Sequence, residues 1–224
     1  DSERVHASWG DSVLHWYGAP GAGVNFNDNC VDISIEPTEP GQPARYVVAP
    51  PAQGITVINA CTTAAAHEPT IEKLPTGNVY RIAGTCAKAE ALKSKPVDNP
   101  GAFTADAFRT HLAGCGITID GSVRRAAAPL GGSIPPPAAQ TVAVHETPLR
   151  DVLGRINTNS QNMFADAACK HVGRAWARGQ GRDAAGSWRD GAAGVRAFLE
   201  RNGIDTQALV IADGSGLSAE NRLS

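Results

Sequence analysis

The spacing of apolar residues differs on the two sides of Pro135-Pro136-Pro137 in this 224-residue chain, and that difference constrains the fold more than any other feature. Before Pro135-Pro136-Pro137 the apolar residues mostly alternate; after it they recur every third or fourth position. Val31, Ile33 and Ile35 repeat with period two until Pro37 ends the run, which predicts a strand with one buried face. Residues 46–49, 55–59 and 79–83 are further strand-like runs, each bounded by Gly or Pro. Together they predict a small antiparallel β unit from residue 26 to about 95. Val97-Asp98-Asn99-Pro100 starts a helix whose buried side is Phe103, Ala107, Phe108 and Leu112, with Gly114 or Gly116 as its stop. Residues 117–123 read as a return to strand and turn. The Ala-, Gly- and Pro-rich stretch around Pro135-Pro136-Pro137 is then a candidate domain boundary.

Beyond the prolines the pattern is helical. Thr147-Pro148 reads as an N-cap followed by proline at the first helical position. Leu149, Val152, Leu153 and Ile156 then mark one buried helix face. Ser160 caps a second helix whose apolar side is Met163, Phe164, Ala167, Ala168 and Val172. Trp188, Val195, Phe198 and Leu199 mark a third, closed by Gly203. Residues 209–212 form a short apolar strand that leads into Asp213-Gly214-Ser215-Gly216, a turn in which glycine permits positive φ. Strands first and helices afterwards predict an α+β chain. Within Ser160-Gln161-Asn162, a hydroxyl and an amide two residues apart sit between two packed helices and can point into one cleft. A bare S-x-N triplet is also an ordinary helix cap.

Charge and composition narrow the function classes. A net charge of -2 gives no electrostatic case for nucleic acid, and the interrupted basic clusters (Arg124-Arg125, Arg174 to Arg182) read as solvated faces. No apolar run is long enough to span a bilayer. The five cysteines, Cys30, Cys61, Cys86, Cys115 and Cys169, include no C-x-x-C pair, and the six histidines no H-x-x-x-H pair, so neither a metal nor another cofactor is expected. Cys61 and Cys86 share the β-rich stretch and are candidates for a bridge, with five buried free thiols as the alternative. Trp9, Trp16 and Tyr17 read as aromatics plugging a core edge.

Several stretches, taken in order, resemble the low-molecular-mass class C penicillin-binding proteins, the D-alanyl-D-alanine carboxypeptidase/endopeptidases of peptidase family S13. They are Trp9, Asp11 and Tyr17-Gly18-Ala19-Pro20; Asn25-Phe26-Asn27-Asp28-Asn29; Asn99-Pro100, Leu112, Gly116-Ile117 and Gly121; Glu146-Thr147-Pro148-Leu149; Ser160-x-Asn162; and Asp213-Gly214-Ser215-Gly216-Leu217-Ser218. By that resemblance residues 1–136 are the family's β-rich insertion, with a helix near 101–114. Residues 137–224 are the helical part of a penicillin-binding, serine β-lactamase-like transpeptidase domain carrying the S-x-N motif.

Cleaving a D-Ala-D-Ala bond through an acyl-enzyme needs an activated serine, a base beside it and oxyanion donors. The family supplies these with S-x-x-K, S-x-N and K-T-G elements. The resemblance implies that Ser160 is the proton-relay hydroxyl and Asn162 the positioning amide, with Gln161 replacing an Asp often found between them. It further implies that Asp11 and Tyr17, with Trp16 as the competing aromatic, approach the side chain of the stem peptide's diamino acid, and that Leu217 walls the substrate pocket. The arginine that often follows the Gly-Leu-Ser serine is Ala219 here, with Arg222 as its nearest stand-in. Ser215 lacks the G-x-S-x-G frame of a nucleophile elbow.

No serine in the chain has lysine three residues on, and Lys73-Leu74-Pro75-Thr76-Gly77 separates Lys from Thr-Gly by two residues. The missing motifs are expected before Asp1 and after Ser224 in a longer protein, and this chain by itself is expected not to acylate. The resemblance implies an extracytoplasmic bacterial enzyme, periplasmic or secreted, that trims peptidoglycan stem peptides and binds β-lactams. The alternatives are a non-catalytic peptidoglycan- or partner-binding homologue, and a structural module in which Ser160 is only a cap.

Overall fold

Val31, Ile33 and Ile35 are almost wholly withdrawn from solvent on one face of the first strand, as their alternation requires. The computed structural model describes residues 3–124 and 140–223. Of these, residues 10–124 form one compact unit, and residues 3–9 with 140–223 form the other. The expected boundary at Pro135-Pro136-Pro137 lies outside the described residues. The fold is α+β.

In the first unit the strands are β1 (Cys30–Glu36), β2 (Arg45–Ala49), β3 (Thr56–Thr63), β4 (Thr70–Lys73), β5 (Val79–Cys86), β6 (Glu90–Ala91) and β7 (Lys95–Pro96). They make two sheets rather than the single antiparallel unit expected. In the first, β1 pairs antiparallel with β2, β6 and β7. In the second, β5 is central, with β4 antiparallel on one side and β3 parallel on the other, in the register Thr56↔Val79 to Thr63↔Cys86. A parallel pair needs a long crossover. Residues 64–78 provide it and contain β4, a strand too short and too polar for alternation to reveal.

β5 turns through Gly84, where φ is +92° and a β-carbon would fall 2.1 Å from the Glu68 carbonyl oxygen. The shared core joins β1 to Tyr80, Ile82, Cys61, Cys86, Val97 and Phe103. Tyr80 is fully buried and donates its hydroxyl to the Pro96 carbonyl at 3.0 Å. Lys73 is equally structural: its ammonium donates to Asp98 Oδ1 at 2.6 Å and to the Gly77 carbonyl at 2.9 Å.

Helix α1 (Pro100–Gly114) starts where expected, because the Asn99 side chain accepts from the Ala102 amide. It buries Phe103, whose ring lies against Phe26, and Ala107, but Phe108 is exposed. Residues 117–123 form no strand and stay exposed: without a neighbouring edge to pair with, their alternation has nothing to bury against. All five cysteines are free, so the Cys61–Cys86 bridge is absent and both thiols are packed as core atoms. Trp16 is exposed rather than a core plug, whereas Trp9 is buried.

The second unit contains α2 (Leu149–Asn159), α3 (Asn162–Gly179) and α4 (Trp188–Arg201). Pro148 occupies the cap position of α2 rather than its first turn. The Leu149, Val152, Leu153, Ile156 face is not buried; Leu149 and Leu153 are exposed. α3 and α4 meet along glycine: β-carbons on Gly173 and Gly191 would fall 2.6 Å from the Gly191 amide nitrogen and 2.5 Å from Cys169 Sγ. So close an approach turns the seam of α3 to Met163, Asp166, Cys169, Lys170, Gly173 and Ala177. Val172 and, on α4, Phe198 are left outward. Ser187 caps α4 by accepting from the Asp190 amide at 3.0 Å. Residues 209–212 contribute a single antiparallel bridge, Val210 to Arg222, instead of a strand. No described helix is long and apolar enough to cross a membrane.

Candidate active site

The chain reverses between α2 and α3 at one residue. Ser160 adopts a left-handed backbone, φ 53° and ψ 46°, and closes α2; Gln161, not Ser160, is the N-cap of α3, and it makes no side-chain cap bond. The expected role of Ser160 as an N-cap is therefore corrected. A cap serine has extended backbone and gives its oxygen to the next helix, whereas Ser160 is turned out into solvent. A non-glycine residue in this conformation costs on the order of 1–2 kcal/mol. Asn162 follows as the first residue of α3 and is half-buried. The two side chains share one helix–helix corner, so the hydroxyl and amide leave the backbone from a fixed, strained hinge.

One turn further along α3 lies a buried carboxylate that the apolar periodicity did not single out. Asp166 is 4% exposed, and its Oδ1 accepts from the Trp188 indole at 2.9 Å and from the Gly214 amide at 2.8 Å. Burial, the largest effect, raises its carboxyl above the ordinary range, and the neighbouring Asp213 adds to this; the bonds from Gly214, Trp188 and Ser215 act the other way.

Asp213 organises the Asp213–Ser218 loop from within. Its Oδ1 accepts from the Gly216 amide and the Asn221 side chain, each at 2.8 Å, and its Oδ2 accepts from the Ser218 amide at 2.7 Å and the Trp9 indole at 2.8 Å. Burial pushes this carboxyl up, but the four donors outweigh it and hold it below the usual value. Gly216 has φ of +82°, as the turn reading required.

Residues 3–9 fasten the same loop. The Ser8 and Ser218 hydroxyls are 2.6 Å apart, and His6 Nδ1 is 2.7 Å from Ser8 Oγ. Trp9 and His6 both meet the Trp188 ring edge-on, while Lys170 sits 4.1 Å over it. Nothing in the apolar spacing marks this cluster, because Trp9, Asp166, Trp188 and Asp213 lie far apart in sequence.

Leu217 is half-buried on the Asp213–Ser218 loop and so belongs to the same unit as Ser160 and Asn162. Asp11 and Tyr17 lie in the unit of residues 10–124. Asp11 is exposed in the 3₁₀ stretch Ala7–Leu14, and Tyr17 stacks on His15 with ring centroids 5.3 Å apart. Trp16 meets Tyr17 edge-on. Ala219 and Arg222 are both exposed, and the Arg222 backbone is committed to the bridge with Val210. Among the described residues no group of His, Cys, Asp and Glu is arranged to hold a metal.

Residues 1–224 match the D-Ala-D-Ala carboxypeptidase 3 (S13) family. The chain is 30% identical over 237 residues to a D-alanyl-D-alanine carboxypeptidase of an Actinomadura species, covering 99% of this chain and 42% of that one. It is 28% identical over 226 residues to the D-alanyl-D-alanine carboxypeptidase DacB of Haemophilus influenzae, with coverage of 95% and 43%. Among solved structures, penicillin-binding protein 4 (dacB) from Haemophilus influenzae superposes with a TM-score of 0.71 at 24% identity, over 97% of this chain and 47% of that one. The same protein complexed with a novel β-lactam gives 0.63 at 26% identity, over 90% and 45%. The chain thus spans less than half the length of these relatives.

Proposed function

Because this chain belongs to the D-Ala-D-Ala carboxypeptidase 3 (S13) family, we propose that it supplies the S-x-N element and one wall of the substrate cleft to a serine D-Ala-D-Ala carboxypeptidase/endopeptidase. The observation that carries this reading is the left-handed backbone of Ser160 between α2 and α3. Strain of this kind persists where the surroundings over-determine it, and it collects at active sites. Helices that end in this conformation usually carry glycine there, and here the residue is serine.

In the proposed reaction the Ser160 hydroxyl passes a proton towards the leaving amine as the D-Ala-D-Ala bond breaks. A hydroxyl can do so because it donates and accepts at one atom. The Asn162 amide, fixed at the first turn of α3, holds the substrate amide and the catalytic lysine. Leu217 walls the pocket, and Asp11 and Tyr17 approach the diamino-acid side chain. The nucleophile, its lysine and the K-T-G strand come from parts of the intact protein other than this chain. Peptidoglycan stem peptides and β-lactams are the ligands, and the place of action is outside the cytoplasmic membrane, periplasmic or secreted, where peptidoglycan lies.

The test uses the intact protein that contains this chain. Incubation with penicillin is expected to add one penicilloyl group by intact mass. Ser160→Ala is expected to slow D-Ala release from a D-Ala-D-Ala peptide by about 10²-fold or more, the usual weight of a positioned proton-transfer group. Unchanged release in Ser160→Ala removes Ser160 from the mechanism. A wild-type protein with neither adduct nor release overturns the enzyme reading and leaves muropeptide binding as the function to assay.

A further inference from the structure

The loop that carries Leu217 is joined to α3 through the buried side chain of Asp166. Every other polar anchor of that loop runs to Asp213, to Asn221 or to residues 3–9. Asp166 reaches it from α3, accepting the Gly214 amide at 2.8 Å on the same oxygen that accepts the Trp188 indole at 2.9 Å. Gly214 is pressed into the helix at that point: a β-carbon there would lie 2.5 Å from Cys169 Cβ, 2.6 Å from the Ala165 carbonyl oxygen and 3.0 Å from Asp166 Cα. Ala165 and Asp166 follow Asn162 within about one helical turn, roughly 5.4 Å along the axis. The contact therefore ties the turn bearing Asn162 to the loop bearing Leu217.

We propose that Asp166 is a positioning residue for the Ser160–Asn162 site, holding the Gly214–Ser218 loop against α3 so that Leu217 and Asn162 keep a fixed separation. The inference rests on the reading of Ser160 and Asn162 given above. Three features make Asp166 the pin. Its oxygen takes two donors at once, one from the loop and one from the first residue of α4, so three elements meet at a single atom. Its second oxygen is buried too, with the Ser215 side chain of the same loop beside it. And the Gly214 amide makes its bond to Asp166 at the point where its own α-carbon is pressed against α3. Without Asp166 the loop keeps its internal bonds to Asp213 and Asn221 but loses this tie to α3.

The experiment again uses the intact protein, comparing Asp166→Ala, Asp166→Glu, Asp166→Asn and Ser160→Ala with wild type. Two quantities are read: kcat and KM for D-Ala release from a D-Ala-D-Ala peptide, and amide exchange across residues 214–218 by mass spectrometry. Asp166→Ala is expected to lower kcat/KM by about 10²-fold, the scale of a misplacement of about 1 Å, and to speed exchange in the loop. Asp166→Glu keeps a carboxylate but moves it by about 1.5 Å of added chain, and is expected to impair release as well; it decides the matter if the alanine variant does not fold. Asp166→Asn retains an acceptor at the position of Oδ1 and is expected to restore most of the rate. Wild-type turnover in folded Asp166→Ala or Asp166→Glu, or unaltered loop exchange, overturns the proposal. If Ser160→Ala proves harmless, the S-x-N reading fails separately, and loop exchange alone then decides the role of Asp166.

Discussion

The Gly214 amide lies 2.8 Å from Asp166 Oδ1, and its α-carbon occupies a place where no β-carbon fits. Gly214→Ala therefore cannot be absorbed by a flexible neighbour, since two of the three atoms it meets are backbone. Its expected cost is about 1–3 kcal/mol, the range for overpacking a filled core. Gly154, in the middle of α2, offers the opposite case, because a β-carbon there meets nothing within 4 Å. Gly154→Ala is expected to stabilise by about 0.5–1 kcal/mol through helix propensity. Urea unfolding of both variants beside wild type checks the pair, and equal effects would contradict the packing described.

How far the sequence could be read followed from how local each determinant was. β1 was legible because Val31, Ile33 and Ile35 alternate against one buried face, and α1 because Asn99-Pro100 starts it chemically. The second sheet was not, because the parallel pairing of β3 with β5 depends on a crossover rather than on either strand's own pattern. The seam of α3 was misjudged for a related reason. Glycine at 173, 191 and 194 sets how closely two helices approach, and the closest approach buries Asp166 and Lys170 while turning Val172 out. At the proposed site, Ser160 and Asn162 carry a motif, which is why the sequence singles them out. Asp166 carried none: its role exists only once Gly214 and Trp188 arrive from 48 and 22 residues away.

The two carboxylates at this junction respond oppositely to pH. Asp166, raised chiefly by burial, binds its proton more tightly folded than unfolded. Its contribution to stability is thus full below the unfolded carboxylate value and is lost as pH rises through the higher folded value. Asp213 is pushed up by burial but pulled lower overall by its four donors, so its contribution is present above the unfolded value and is lost as pH falls through the folded one. Asp166→Asn should therefore gain stability relative to wild type between about pH 3 and about pH 7, and Asp213→Asn should lose it over the same interval. Other groups facing the pair, Lys170, Cys169 and Glu3, are common to all three proteins. Unfolding free energies at the two pH values check the signs, and parallel trends would show that the carboxylates are not differently held.

Thiol reactivity gives an independent view of the packing. Burial pushes Cys30 to about 12 and Cys169 to about 11, and raises Cys61; Cys86 is buried as well. The thiolate is the reactive form, so none of these four should react with an aromatic disulfide reagent in the native protein near pH 8. Cys115 is exposed and is expected to be the single thiol that does. In denaturant all five should titrate. A denatured count lower by two would reveal the bridge between Cys61 and Cys86 that the structure lacks.

Ser160 separates stability from chemistry most directly. Its hydroxyl caps no helix, so Ser160→Ala should not carry the 0.5–2 kcal/mol of a lost N-cap that an ordinary cap serine would. Its backbone is left-handed, so Ser160→Gly should relieve strain and, after glycine's greater unfolded-state entropy is subtracted, stabilise by about 0.5 kcal/mol. Both variants remove the proposed relay hydroxyl and should slow D-Ala release alike in the intact protein. Glycine thus predicts a more stable, less active protein, the pattern of a residue retained for function at the expense of its fold. Measuring the melting temperature and release rate of the two variants together separates this from a structural role. A glycine variant that is both less stable and fully active would show that Ser160 is kept for the α2–α3 turn alone.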